Sequence, residues 1–548
     1  MNMESTGKND SLYKLVKSLT KTEKAYFKKF ASRHVLGDYN KYTLLFDAIA
    51  VSKNGYDENE IKDKFPNEKF VKNFPVIKNY LANMILKSLN SFYSDSTPDN
   101  EIKNDLRYIK ILYKKALFEQ CRKIVESSLK RAYLTDNFLM ILELLNWKKN
   151  LINEDVYEGN QFINLEKAYC EEQDIIRKMK NLSDYRMLSY RARSISVGFN
   201  PYYKGDDTKE ELLNILNDPL LQSEKEALSY PARIAYYHVF ALVNECIGKN
   251  LEAFECRKQL LCIMEENPDT IKGNISNYII SIFNLLGTCF GLRAFNELEN
   301  YINKLRTIKI NYPGKISGND LLIIFLGTMI FELKMQIKKG EFSKLVQNIN
   351  EIEDGLKEFE KMIVKEDLLY CFYMLAYSYF GAGKYDEALN WVNRIFNEKE
   401  TDCDTKLQTI SKILNIIIHY ELDNYELLEY LIKSAYRYFR KNGSNSIEGK
   451  IIIDFFKQLP SITYRDQLKE LFAESLGRIR AGRQNADNAD NKTNPFEIQN
   501  NFTNSAEFDL ESWLESKVNG KSFEEIVRSK YLKKIKAAQT ELSMLPIF

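Results

Sequence analysis

Glycine and proline are scarce, with 22 and 11 residues in a chain of 548. Together they make about 6 per cent, against roughly 12 per cent in average usage. A fold of many short strands needs Gly- and Pro-rich turns, so this poverty excludes most all-β designs and favours long helices. Histidine is rarer still, at His34, His238 and His419 only. These are far apart, with neither an H-E-x-x-H pattern nor a cysteine at ligand spacing, so no metal site is predicted. The eight cysteines include no C-x-x-C pair and read as free thiols of a reducing compartment. Nucleophile-elbow and phosphate-loop motifs are missing. The run Gly381-Ala-Gly383-Lys384 is only superficially similar to a phosphate loop, because Ser378 stands where that motif needs its first glycine. The prediction is a non-enzyme with no cofactor. One charge-free stretch, residues 273–292, is long enough to suggest a membrane span. Asn274, Ser276, Asn277, Ser281, Asn284 and Thr288 interrupt it, so a buried helix is expected instead. The opening residues carry charges of both signs and no apolar run before Leu12, which predicts a cytoplasmic protein without a membrane partner.

What is present is charge and helical periodicity. Lys and Arg number 78 against 76 Asp and Glu, but residues 1–135 hold 25 cations and 16 anions, a net of +9 that leaves −7 for the rest. Residues 1–95 read as a basic helical domain. Thr20-x-x-Glu23 and Asp57-x-x-Glu60 mark helix starts, and Ile77, Tyr80, Leu81, Met84, Ile85, Leu89 and Phe92 lay an apolar stripe along a helix. Lys14, Lys17, Lys21, Lys24, Lys28, Lys29 and Arg33 lie close together, and the helices near 57–89 could form a helix-turn-helix.

Residues 100–475 read as a repeat array. In residues 368–397, Phe372, Leu375, Ala376 and Tyr379 fall in the order W-x-x-L-G-x-x-Y, and Gly383, Tyr385, Ala388, Val392 and Ile395 occupy the turn and second-helix places. Phe283, Leu286, Gly287 and Phe290 repeat the first half. The small-residue places at 241, 287, 333, 376 and 416 are spaced by 46, 46, 43 and 40. This resembles a degenerate tetratricopeptide repeat, and the resemblance implies an α-solenoid of helical hairpins with a concave binding groove. It also implies close hairpin packing at Ala376 and Gly287. On that implication Tyr370, Tyr373, Tyr377 and Phe380 line the groove, with Asn284 and Thr288 at clamp positions of an earlier unit and Ile413 and Ile417 at those of a later one.

Residues 481–505 are polar and Asn-rich and read as a disordered linker. Residues 507–548 follow as an amphipathic helical tail, with Ser522-x-x-Glu525 as a capping box and Trp513, Leu514, Phe523, Ile526 and Tyr531 as docking residues. Such a tail is too small to hold its own core, so it is expected to cover part of the array. The whole is expected to be all-α: a cytoplasmic, non-catalytic scaffold that binds a peptide or protein partner. The alternative is a nucleic-acid-linked regulator that works through the basic first domain.

Overall fold

The computed structural model describes residues 11–33, 41–52, 57–66, 69–94, 98–154, 161–196, 206–398, 405–441, 447–462, 464–489 and 508–544. Among these there is no strand, and the fold is all-α. No helix of the described residues is long and apolar enough to cross a membrane. The chain divides into two compact units, Met1–Arg177 and Lys178–Phe548. That division lies well inside the span read as one array, rather than near residues 95–100.

The first unit opens with α1 (Ser11–Ser18), α2 (Lys21–Ser32), α3 (Lys41–Val51), α4 (Glu58–Asp63) and α5 (Phe74–Phe92). Local chemistry sets these starts. Thr20 accepts from the Glu23 N–H while the Glu23 carboxylate accepts from the Thr20 N–H, and Asp57 accepts from the N–H groups of Asn59 and Glu60. Phe27 and Phe46 meet at 4.4 Å in a core shared with Leu45, Ile49, Phe74, Leu81 and Ile85. Next come α6 (Pro98–Lys114), α7 (Phe118–Leu134) and α8 (Phe138–Glu154), which pack in succession. Helix α9 (Gln161–Ser196) runs through the unit boundary.

The second unit continues with α10 (Asp206–Leu216), α11 (Tyr230–Cys246), α12 (Asn250–Glu265), α13 (Pro268–Gly273), α14 (Ile275–Gly291), α15 (Phe295–Asn311) and α16 (Gly318–Lys339). After these come α17 (Phe342–Gln347), α18 (Ile349–Phe359), α19 (Lys365–Gly381), α20 (Tyr385–Phe396), α21 (Thr405–Glu421) and α22 (Tyr425–Lys441). The unit ends with α23 (Ile447–Gln458), α24 (Arg465–Ala489), α25 (Leu510–Asn519) and α26 (Phe523–Met544). The charge-free stretch forms α14, with Ile279, Ile282, Leu285 and Leu286 fully buried. Helix α24 reaches Ala489, so the first part of the stretch read as linker is helical, and residues 490–505 lie outside the described residues.

Four of the five repeat units read from the sequence fall on a pair of helices and the third on α16 with α17 and α18, and successive units pack on one another through α12 and α14, α14 and α16, α16 and α19, and α19 and α21. The turns share one geometry. A residue with positive φ ends each first helix: Gly248, Arg293, Gly340, Gly383 and Asp423, at spacings of 45, 47, 43 and 40. The next N–H returns to a carbonyl five residues back, as from Lys384 to Tyr379 (3.0 Å) and from Asn424 to His419 (2.9 Å). This is a Schellman closure, which satisfies the last helical carbonyls and reverses the chain. Gly383 therefore serves a turn rather than a phosphate. The close-packing place is filled by Ala376 and Ala388, both wholly buried. Gly287 is exposed, and a Cβ there would only touch Phe331 at 3.8 Å, so it plays no such role.

Candidate functional site

Helix α19 is buried on every face from Leu368 to Gly381. This corrects the groove assignment: Tyr370, Tyr373, Tyr377 and Phe380 are each 3 % exposed or less. For Tyr377 and Phe380 the cause is the tail. Phe508 packs on Tyr377 and Phe380 at 5.3 and 5.2 Å, and Phe523 on Phe380 and Phe342 at 5.6 Å each. The Asp509 N–H donates to the Tyr377 hydroxyl at 3.0 Å. Burial and the neighbouring Asp509 carboxylate push the Tyr377 phenol far above its ordinary value, so it stays neutral.

The tail residues join the core of the unit. Trp513, 1 % exposed, donates its indole N–H to Glu421 at 2.6 Å and lies among Tyr420, Phe455, Phe456 and Phe472. Leu514, Phe523 and Ile526 are buried, and Tyr531 rests half-buried against Phe295 at 5.9 Å. Gly340 makes room for α26: a Cβ there would come within 2.5 Å of the Arg528 nitrogen. Of the clamp positions, Thr288 is buried and donates to the carboxylate of Glu245, which is itself paired with buried Arg257. Asn284 is half-buried and its carbonyl accepts from Thr288. Ile413 and Ile417 are core residues. None of these faces an open groove.

The open polar surface is one helix further on. Between α20, α21 and α22 lies a cavity of about 330 Å³, lined by Phe396, Gln408, Lys412, Asn415, His419 and Leu431 among others. Its α21 members recur at three to four residues along one face, inside a helix whose other faces are apolar. Gln408 is 2 % exposed and Asn415 7 %, yet the side-chain oxygens of both, and the Ser411 hydroxyl beside them, have no hydrogen-bond partner among the described residues. Leaving a buried polar atom unsatisfied costs about 1 to 3 kcal/mol, and of the three, Gln408 and Asn415 line the cavity, where a donor would relieve that cost. The Lys412 ammonium stands over the rings of Phe396 and Tyr438 at 5.2 and 4.8 Å. Burial lowers the pKa of His419, which keeps its ring neutral, and Asn424 Nδ2 lies 3.2 Å from its Nδ1. The site offers hydrogen-bond acceptors, a cation and aromatic walls. The sequence carried the signal as the stripe Gln408, Ser411, Asn415 and His419 in an otherwise Ile- and Leu-rich segment.

In the basic first domain, the Lys17 ammonium donates to the carbonyls of Ala50 and Ser52 at 2.8 and 2.6 Å, and Lys28 pairs with Asp47 at 2.7 Å. The outer face of α5 exposes Val76, Tyr80 and Leu86 beside Lys87 rather than a row of cations. No group of three or more His, Cys, Asp or Glu that could hold a metal occurs among the described residues, and His34 lies outside them. Compared with known proteins, the chain matches no family, no curated relative and no solved structure.

Proposed function

We propose that the chain is a non-catalytic, tetratricopeptide-like binding protein that takes an extended segment of a peptide or protein partner into the cavity of α20, α21 and α22. The unpartnered oxygens of Gln408 and Asn415 carry this reading. An extended peptide presents backbone N–H groups along its length, and amide oxygens one or two helical turns apart on one face match that spacing in kind. The rings of Phe396 and Tyr438 provide contact area for side chains. The cations of the first domain are mostly exposed, with Lys17 and Lys28 already engaged within it, and they give the nucleic-acid reading no orphaned buried group of this kind.

The test begins with a displayed library of short peptides selected on the full chain. The selected peptide is then titrated against wild type, Gln408→Leu and Asn415→Leu. Replacing an unsatisfied buried amide by an apolar group of similar size should leave the melting temperature unchanged or raised, while affinity falls about tenfold or more. Undiminished binding in both variants would sink the assignment, as would a library that yields no binder.

A further inference from the structure

A second cavity, of about 1110 Å³, lies where the turn between α14 and α15, helix α16, helix α19 and the tail meet. One side chain in it stands out chemically. Lys334 is 7 % exposed, and among the described residues its ammonium has no hydrogen-bond acceptor and no carboxylate within ion-pair distance. Its neighbours are the rings of Phe290, Phe331 and Tyr370, with centroids at 5.5, 5.8 and 5.5 Å. Ring faces attract a cation, but they do not replace the acceptors that three N–H donors lose on leaving water. Burial, helped by Lys338, accordingly lowers the pKa of this amine to about 7.

The rest of the lining favours negative charge. Arg293, Lys338 and Lys534 are exposed around the cavity, and Lys530 is paired with Glu511 and Glu515. Two acids also line it. The Asp509 carboxylate is occupied in capping α25, where it accepts from the N–H and hydroxyl of Ser512, and half-buried Glu297 remains beside the cations. Phe290, Phe295, Tyr377, Phe508 and Val527 give the cavity an apolar wall, much of it supplied by the tail.

We propose that this cavity binds an organic anion, a carboxylate or phosphate monoester on an apolar body, whose charge pairs with Lys334 Nζ while the body lies against Phe290 and Phe508. The site is separate from the groove of α20 to α22, and its ligand would be held partly by the tail. A buried cation facing a roomy cavity gains most from a partner that neutralises it there, because the low-dielectric surroundings strengthen the pair.

The experiment uses the full chain and 8-anilinonaphthalene-1-sulfonate, an aromatic anion whose fluorescence rises on apolar burial, followed by displacement with decanoate and with phenyl phosphate. Saturable binding is expected, weakened about tenfold or more in Lys334→Met and changed less than about threefold in Lys534→Met, whose charge lies in water. Displacement by decanoate alone assigns a carboxylate ligand, and displacement by phenyl phosphate alone assigns a phosphate. Equal affinity in Lys334→Met overturns the proposal, as does absence of saturable binding or of displacement by either anion. A second reading needs no variant. Acetylation of Lys334 in the wild-type chain by acetic anhydride, followed by peptide mass mapping, should slow at saturating displacer, and an unchanged rate overturns the proposal equally.

Discussion

Helices α19 and α21 hold the same place in successive hairpins, each followed by the same left-handed turn, yet they treat their inner faces in opposite ways. Helix α19 presents tyrosines and phenylalanine, and the tail covers Tyr377 and Phe380 with Phe508 and Phe523. Helix α21 presents amides and a hydroxyl that nothing in the described chain satisfies. The contrast teaches that two helices in equivalent places can bury faces of opposite chemistry. An apolar face that wide must be closed, and here the chain closes it with its own last helices. On α21 the polar atoms are equally buried, but no segment of the described chain satisfies them.

The largest effect should come from breaking the cover. Trp513→Ala removes a wholly buried indole and takes one donor from the Glu421 carboxylate, which keeps Lys517 at 2.6 Å and the Tyr385 hydroxyl. A loss of about 3 to 5 kcal/mol is expected. Denaturant unfolding measures it, and a loss below about 1 kcal/mol would mean that the tail contributes little to the core it shares with Tyr420, Phe455, Phe456 and Phe472.

Next is the ranking of two sites on α19 itself. A groove-facing Tyr373 would make Tyr373→Ala milder than overpacking Ala376. With Tyr373 fully buried, Tyr373→Ala should cost about 3 kcal/mol or more and Ala376→Phe about 1 to 3 kcal/mol. Thermal melts that place Ala376→Phe as the worse of the two would reverse the comparison between the helices.

The charge beside α19 gives a third, pH-dependent difference. Lys334 has a native pKa of about 7, against 10.5 when unfolded. Between those values the unfolded chain binds a proton that the native chain does not, so this residue makes stability rise with pH across that window, by at most about 1.4 kcal/mol per unit. Below about pH 7 both states are protonated and the penalty of the buried charge is constant. Lys334→Met should therefore gain stability at pH 7 and lose this part of the slope. Denaturation of both proteins at pH 7 and pH 9 reads the difference, and parallel slopes would contradict the burial of a charged amine here.

These expectations also mark how far the sequence was legible. Capping boxes, apolar stripes and the recurring small positions are local, and helices with their turns followed them: Thr20 with Glu23, Ser522 with Glu525, and the hairpins near 241 to 416. The burial of both sides of α19 was not local. Tyr377 receives its hydrogen bond from Asp509, 132 residues away, and periodicity within one helix cannot say which distant segment will cover its second face. A helix apolar all round was the available sign that no face was left for a groove. On α21 the polar stripe was equally visible, but only the structure shows that Gln408 and Asn415 are buried and lack partners.

The smallest effect belongs to the turns the two hairpins share. Gly383 ends α19 with φ at 73°, and Asp423 ends α21 with φ at 56°. A Cβ at Gly383 would touch nothing within 4 Å, so Gly383→Ala changes only the backbone's conformational preference, and a loss of about 1 kcal/mol is expected. Asp423 already bears a side chain in that conformation and recovers part of the strain by accepting from the Tyr425 hydroxyl at 2.8 Å. Asp423→Gly relieves the strain, gives up that hydrogen bond and loosens the unfolded chain, so its net gain should be smaller than the loss at Gly383, at about 0.5 kcal/mol or less. Opposite signs for the two substitutions would establish that one turn geometry serves both hairpins. A loss at Asp423→Gly as large as that at Gly383→Ala would instead make the Asp423 side chain, rather than its backbone, the part that holds the turn.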